Sequence, residues 1–184
     1  MRLYLAGPDV FRPDAKAIAV RKKAVCARYG FEGLDPLDQD PPAGLSPAET
    51  ASAIFRANTA LMRRADGIVA DLSPFRGPSA DPGTVFELGF MLGLGKPAFG
   101  YSIATEPFLQ RTAKLAGARN AGGRWTDAEG LAIEPFGLCD NLMIDRALAL
   151  AGQALVVPDG RGGDDAAWCI ERCLQAAKAY FDSL

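Results

Sequence analysis

The chain has 184 residues, with 20 Lys and Arg, 22 Asp and Glu, and no histidine. Because there is no imidazole, Ser-His-Asp and Cys-His nucleophile systems, His general bases and His-ligated zinc are excluded. The net charge of −2 gives no electrostatic reason to bind a nucleic acid polymer or an anionic membrane. Any catalysis must therefore use carboxylates, amides, hydroxyls, lysine or backbone dipoles.

The length and the lack of an internal repeat or linker predict one domain over residues 1–184. The apolar runs are too short to span a bilayer, and the N-terminus lacks the features of a signal peptide. The four cysteines form no CxxC pair; they are Cys26, Cys139, Cys169 and Cys173. We therefore expect reduced thiols and a cytoplasmic protein.

Apolar runs and helical patterns alternate along the chain. The predicted strands cover, in chain order, residues 3–6, 31–37, 67–72, 97–101 and 154–157. The predicted helices cover residues 13–29, 46–65, 83–95, 138–151 and 166–181. Segment 38–47 is a Pro-rich loop with the composition of a lid, and segment 104–135 has no clear pattern. The alternation predicts an α/β fold, a three-layer sandwich with a central parallel sheet of about five strands.

Carboxylates cluster around the loop that follows the third predicted strand. Asp71 ends that strand, Asp81 precedes the next helix, and Glu87 lies six residues further on. Ligands bind beyond the carboxyl ends of the strands in such sheets, so we expect Asp81 and Glu87 to flank one crevice. A carboxylate there, at the positive end of a helix dipole, indicates a nucleophile or an electrostatic stabiliser at a sugar-like carbon. The plainer alternative is that Asp81 is only an N-cap and Glu87 only a solvated acid.

Other polar residues allow both a structural and a functional interpretation. Asn58 lies on the apolar stripe of its helix, where its amide either bonds neighbouring backbone or points into the crevice. Gly7-Pro8 follows a strand, but without a GxGxxG or GxxxxGK motif a phosphate loop is not predicted. Cys169 and Cys173, one helical turn apart, are expected to be core residues rather than metal ligands. We expect a solvated helix face from the basic residues Arg12, Arg21, Lys22 and Lys23.

Four sequence blocks together resemble nucleoside 2-deoxyribosyltransferases. The blocks are residues 4–11 (YLAGPDVF), 65–77 (ADGIVADLSPFRG), 81–90 (DPGTVFELGF) and 136–144 (FGLCDNLMI). They occur in order along most of the chain, and the set is far more specific than any single block. The resemblance implies a Rossmann-like, flavodoxin-like fold and an enzyme that exchanges the base of a 2′-deoxyribonucleoside, with a role in nucleotide salvage.

The resemblance also implies roles for individual residues. Glu87 matches the family's nucleophile, Asp81 the acid that binds substrate and helps to move protons, and Tyr4 the aromatic residue that orients the nucleophile. Asn58 falls where the family carries Asp or Asn near the base. Because an amide cannot act as an acid, Asp81 and water are the main candidates for the proton donor. The implied substrate-binding residues are Gly7, Asp9, Phe11, Asn58, Asp71, Pro74, Gly83 and Asn141.

The resemblance further implies the partners of the protein. Asn141 matches an Asn that reaches the site of a neighbouring subunit, so we expect a homo-oligomer. The implied substrates are 2′-deoxynucleosides and free nucleobases, and the implied chemistry needs neither a metal nor an organic cofactor.

Two alternatives keep this fold and change the activity. Related N-glycoside hydrolases of 2′-deoxynucleosides or their 5′-monophosphates carry a Glu on the same helix and pass the sugar to water. Asp81 would repel a 5′-phosphate, which favours free nucleosides. The second alternative is a nucleotide-sensing module without activity, and the intact Glu87 argues against it.

Overall fold

The structure is a computed structural model that describes residues 1–151, 153, 155–160 and 165–184. The strands of its central sheet are β1 (Arg2–Ala6), β2 (Glu32–Leu34), β3 (Gly67–Asp71) and β4 (Ala98–Tyr101). They lie in the order β2-β1-β3-β4, and every neighbouring pair is parallel. The predicted α/β fold with a central parallel sheet is confirmed.

Helices cover both faces of the sheet, which gives the predicted three layers. The helices of the described residues are α1 (Ala15–Arg28), α2 (Pro47–Arg64), α3 (Pro82–Gly93), α4 (Phe108–Ala116), α5 (Leu142–Leu150) and α6 (Asp165–Asp182). Side chains alternate along each strand, so Tyr4 packs with α2, α3 and α5 while Leu5 packs with α1 and α6. Cys169 and Cys173 are buried in this second layer, as expected for core residues.

The described part of the sheet has four strands, whereas about five were predicted. Of the predicted last strand, residue 154 lies outside the described residues, and Val156 makes only an isolated parallel bridge to Tyr101. Its N–H donates to the Gly100 carbonyl at 2.9 Å, and its own carbonyl accepts from the Ser102 N–H at 2.9 Å. The ladder does not continue because Pro158, two residues later, has no amide hydrogen to donate.

Local capping signals explain where two helices begin. Ser46 and Glu49 form the predicted capping box before α2, in which each side chain accepts the other residue's backbone N–H. The predicted helix over 138–151 begins only at Leu142. Asn141 caps it there, with its Oδ1 accepting the N–H of Met143 at 3.0 Å.

The segment without a clear pattern, 104–135, contains α4 and a small hairpin. The hairpin consists of β5 (Arg119–Ala121) and β6 (Arg124–Thr126), which pair antiparallel. Gly122 and Gly123 connect the two strands with φ angles of 60° and 87°. Two consecutive positive φ angles match the twist of a two-residue hairpin turn, and glycine adopts them without steric cost.

The order of the strands determines where a ligand crevice forms. β1 has β2 on one side and β3 on the other, so the chain reverses direction across the sheet at β1. The loops that follow these strands diverge at their carboxyl ends, and such a switch point is the usual ligand site of open α/β sheets.

Among the described residues, no helix combines the length and the apolar character that crossing a membrane requires.

Candidate active site

A cavity of about 380 Å³ opens at the carboxyl edge of the sheet. Its walls come from the loops after β1 and β2, from the middle of α2, and from the first turns of α3. Six predicted site residues line it: Gly7, Phe11, Asn58, Asp81, Gly83 and Glu87. The two acids expected to flank one crevice therefore both face this cavity.

The Glu87 side chain is oriented by Tyr4, a residue of β1. The buried hydroxyl of Tyr4 donates a hydrogen bond to Oε1 of Glu87 at 2.5 Å. Burial raises the pKa of Glu87 to about 7, the Tyr4 hydrogen bond opposes that rise, and the charges of Asp81 and Asp35 add to it. The pKa of Tyr4 is raised well above its ordinary value by its burial and by Glu87, so Tyr4 stays a donor. The bond uses one carboxylate oxygen and leaves Oε2 out of this contact.

Asp81 is the N-cap of α3 and also a residue of the cavity wall. Its Oδ2 accepts the backbone N–H of Thr84 at 2.9 Å and the Thr84 hydroxyl at 3.0 Å. Neither bond uses Oδ1. A side chain at Gly83 would bring a Cβ to 3.0 Å from the same Oδ2, so the glycine leaves room for this carboxylate. The structural interpretation of Asp81 as a cap is confirmed, and it does not exclude the functional one.

Asn58 lines the cavity from α2 without an anchor for its amide oxygen. Its Oδ1 is buried and has no hydrogen-bond partner among the described residues. A buried carbonyl oxygen without a partner costs free energy, and such groups often bond a ligand when one is present. The backbone-bonded alternative for Oδ1 is therefore wrong.

Asp9 and Asp71 lie on the other face of the sheet. Both line a second cavity of about 390 Å³ between α1 and α6. Asp71 is buried, and its Oδ1 accepts the N–H of Ser73 at 3.0 Å and the Ser73 hydroxyl at 2.5 Å. A Cβ added to Gly7 would lie 2.9 Å from the Cβ of Asp71. A single stretch of backbone at Gly7 thus separates Asp71 from the first cavity.

Pro74 and Asn141 are also outside the first cavity. Pro74 forms an isolated antiparallel bridge with Ala80, which closes the loop before α3. Asn141 uses both ends of its amide within the chain, because Oδ1 caps α5 and Nδ2 donates to Glu134 at 2.8 Å. The roles implied for these two residues stay predictions.

Several residues of the cavity wall were not predicted as site residues. The loop after β2 contributes Pro36, Leu37, Gln39, Asp40 and Pro41. Its composition indicated a lid, but the sequence does not show which cavity such a lid would cover.

A second difference from the sequence-based expectation concerns Lys22. This residue was expected to be solvated, which is wrong: its side chain is 15% exposed and forms an ion pair with Asp9.

The charge of the cavity wall is entirely negative. Three of its residues are carboxylates, namely Asp40, Asp81 and Glu87, and no Lys or Arg lines it within the described part of the chain. Apolar side chains such as Val10, Phe11 and Ile54 complete the wall. Such a site suits a neutral molecule with a flat apolar face and a few hydrogen-bonding groups.

Comparisons with known proteins agree with this geometry. The profile of the family "nucleoside 2-deoxyribosyltransferase" matches residues 3–143. An uncharacterised protein of Schizosaccharomyces pombe is 32% identical over 169 residues, which cover 84% of this chain and 80% of that protein. A solved 2-desoxiribosyltransferase from Leishmania mexicana is 32% identical, with a TM-score of 0.60 over 98% of this chain and 95% of its own.

A solved conserved protein from Enterococcus faecalis shares the fold alone. Its TM-score is 0.56 at 18% identity, over 94% of this chain and 98% of its own. The family match, in contrast, includes Tyr4, Asp81 and Glu87. Asp81 and Glu87 line one cavity, and Tyr4 donates its hydrogen bond to Glu87. The chain belongs to the nucleoside 2-deoxyribosyltransferase family and is a pentosyltransferase enzyme.

Proposed function

We propose that this enzyme transfers 2-deoxyribose between nucleobases by a retaining double displacement, with Glu87 as the nucleophile. The observation that carries the proposal is the Glu87 carboxylate in the cavity wall, oriented through Oε1 by Tyr4. The second oxygen, Oε2, is not used by that bond and is the atom we assign to the attack. A pKa of about 7 leaves a large ionised fraction at neutral pH.

In the first step Oε2 of Glu87 forms a bond to C1′ while the bond from C1′ to the base nitrogen breaks. The bonding electrons go to the base nitrogen, which takes up a proton. In the second step a ring nitrogen of the incoming base attacks C1′, and the carboxylate leaves with the electrons of the ester bond. Two inversions retain the configuration, and the transition states resemble an oxocarbenium ion.

Proton transfer at the departing and arriving nitrogens is assigned to Asp81 and water. Asp81 faces the cavity with Oδ1 outside its two capping bonds, whereas the amide of Asn58 cannot act as an acid. Asn58 is assigned to the base, because its unpartnered Oδ1 suits an N–H donor of the ligand.

The charge of the cavity supports free nucleosides as substrates. A 5′-monophosphate would bring two negative charges close to Asp40, Asp81 and Glu87, and the described residues of the wall include no cation to offset them. This disfavours the alternative of a hydrolase acting on 5′-monophosphates. Hydrolysis of free nucleosides stays the second candidate, because water and a base compete for the same covalent intermediate.

We also propose a homo-oligomer in which Asn141 completes the site of a neighbouring copy. Asn141 is flanked by exposed apolar side chains: Phe136 is 59% exposed and Met143 is 71% exposed. Beside the cavity, Phe55 and Phe86 are 56% and 50% exposed. Apolar patches of this kind are typical of contacts between subunits.

The test of the proposed reaction is incubation with deoxyadenosine or thymidine and a second free base, with products followed by chromatography. We expect the new deoxynucleoside to form faster than free deoxyribose. Free deoxyribose as the main product at excess acceptor base would identify a hydrolase instead. Formation of neither product would refute the proposal.

A further inference from the structure

Helix α1 contributes no residue to the wall of the first cavity, yet three of its lysines form ion pairs with loops that do. Lys22 pairs with Asp9 in the loop after β1. Lys23 pairs with Asp38, and Lys16 pairs with Asp40 at 3.6 Å, both in the loop after β2. These two loops form the side of the cavity wall that α2 and the start of α3 do not supply.

The pair of Lys22 and Asp9 is the most protected of the three. The two side chains are 15% and 25% exposed, and the Lys22 ammonium also lies 5.8 Å from the centre of the Tyr101 ring. Asp9 belongs to a short 3-10 turn, Pro8–Phe11, which carries Val10 and Phe11 into the cavity wall. A Cβ added to Gly7 would lie 3.7 Å from the Lys22 Nζ, so the lysine packs directly behind this turn.

The pair of Lys23 and Asp38 supports the second loop in the same manner. The side chains are 34% and 30% exposed. Asp38 closes a capping box with Asp35 around the 3-10 turn Pro36–Asp38, which carries Pro36 and Leu37 into the wall. Lys16 and Asp40 are more than three-quarters exposed, and such a pair contributes little because water and salt screen it.

We propose that Lys22 and Lys23 are positioning residues of the active site, each fixing one of the two loops that form this side of the cavity. Neither lysine lines the first cavity; each acts through the acid of its own loop. The effect on activity rests on the proposed transferase function. The effect on the loops does not.

Amide hydrogen exchange tests the effect on the loops without any assay of activity. The reporters are hydrogen-bonded amides of each turn: the Arg12 N–H bonds the Asp9 carbonyl at 2.9 Å, and the Asp38 N–H bonds the Asp35 carbonyl at 3.0 Å. We expect Lys22→Met to speed exchange at Arg12 by about tenfold and to leave Asp38 unchanged, and Lys23→Met to do the reverse. The matched control is Lys178→Met, which removes an exposed lysine paired with Asp182 on α6 and should change neither amide.

Kinetics on the same variants test the effect on the site. We expect Lys22→Met to lower kcat/KM for a deoxynucleoside by about 10-fold to 100-fold, mainly through KM, because the wall shifts while Tyr4 and Glu87 keep their contact. Asp9→Asn should have a similar effect, and the double variant should lose no more than the worse single variant. Additive losses would mean that Asp9 acts on the substrate directly, independently of Lys22, and would overturn the assignment.

The two experiments separate the possible failures. If the unaltered enzyme transfers no deoxyribose, the proposed function is wrong. The amide hydrogen exchange data still show whether each lysine fixes its loop. Unchanged exchange in both lysine variants would overturn the positioning role, whatever the activity. Equal acceleration at both reporter amides in either variant would also overturn it, because it would indicate general loosening instead of one lysine for each loop.

Discussion

The hydroxyl of Tyr4 donates to Oε1 of Glu87 across 83 residues of sequence, from the middle of β1 to the second turn of α3. The tyrosine is fully buried, so its donor has no competing water, and the direction of the Glu87 carboxylate is tied to the sheet. This bond also lowers the pKa of Glu87, against the rise that burial causes. One hydrogen bond thus contributes both to the orientation and to the charge of the proposed nucleophile.

Replacing Tyr4 by Phe is expected to shift the pH dependence of transfer. The attack requires ionised Glu87, so kcat/KM of the unaltered enzyme should fall as the pH drops through about 7. Without the Tyr4 hydroxyl the pKa of Glu87 should rise further. The fall of kcat/KM on the acidic side of the pH profile should then occur at higher pH. The measurement is kcat/KM between pH 5 and 9. A variant with a lower rate and an unshifted pH profile would show that Tyr4 does not tune the charge of Glu87.

Replacing Glu87 by Gln is expected to abolish transfer and to stabilise the fold at alkaline pH. The pKa of Glu87 is about 7 in the folded chain against 4.5 ordinarily, so the folded state binds this proton more tightly. The unaltered protein therefore loses stability as the pH rises from about 4.5 to 7, by roughly 2–3 kcal/mol. Glu87→Gln should unfold at higher denaturant concentration above pH 7, with no advantage below pH 4.5.

Glu49 provides a control of opposite sign for this stability measurement. Hydrogen bonds from the side chain and backbone of Ser46 hold the pKa of Glu49 below its ordinary value. Its ionised form therefore stabilises the fold above its unfolded pKa, and that contribution is lost as the pH falls. Glu49→Gln should be less stable than the unaltered protein at neutral pH and equally stable in acid. If both variants were more stable than the unaltered protein at alkaline pH, the gain in Glu87→Gln could not be attributed to the raised pKa of Glu87.

Deoxyadenosine should be a much better substrate than its 5′-monophosphate. The wall of the cavity contains three carboxylates and no cation among its described residues, so we expect it to repel a phosphate. We expect kcat/KM for the nucleotide to be lower by about 100-fold or more, with a smaller difference at high salt. Parallel assays at low and high ionic strength measure both effects. Equal rates would mean that the phosphate lies outside the cavity.

Two glycines of α3 offer a matched pair of alanine substitutions. At Gly83 a Cβ would meet Oδ2 of Asp81 at 3.0 Å, whereas at Gly89 it would meet no atom of the described residues within 4 Å beyond the adjoining backbone of its own helix. Gly83→Ala should displace the Asp81 carboxylate and lower kcat by about tenfold or more. Gly89→Ala should raise the free energy of unfolding by about 0.5–1 kcal/mol without loss of activity, because alanine favours the helix. Equal activity of the two variants would argue against a role for Asp81.

The proposed sharing of Asn141 between subunits is testable by mixing two variants. Asn141→Ala and Glu87→Ala should each be inactive as homo-oligomers. After joint unfolding and refolding, a site that combines Glu87 from one copy with Asn141 from the other is intact, so part of the activity should return. Sedimentation of the unaltered enzyme should show an oligomer. A fully active monomer, or no recovery in mixtures, would contradict the sharing.

The parts of the fold that depend on local signals were predictable, and those that depend on distant contacts were not. Ser46 and Glu49 determine a helix start within four residues, and the capping box is present. Val156 belongs to an apolar run, residues 154–157, that has the composition of a strand. Its pairing also depends on Pro158, and among the described residues of this run only one bridge, from Val156 to Tyr101, forms. For short strands, pairing partners outweigh intrinsic preference.

The same distinction applies to the candidate site. Asp81 and Glu87 lie at the start of one helix, so the sequence alone predicts that they share a crevice. Lys22 has the sequence context of a solvated helix face, and only the loop after β1, which folds over it, makes it a protected ion-pair partner. The contribution of the loop after β2 likewise depends on the position of β2 beside β1.

The lack of a cation among the described residues of the cavity wall has a consequence for the proposed exchange of one base for another. Without a cation in the wall, a base would be held by hydrogen bonds to Asn58 and the carboxylates and by apolar contact, for which we expect modest affinity and fast release. The sugar, in contrast, would be retained through its ester bond to Glu87. In the proposed mechanism, weak binding of the base and covalent retention of the sugar would let the first base diffuse away and a second take its place before the intermediate is lost.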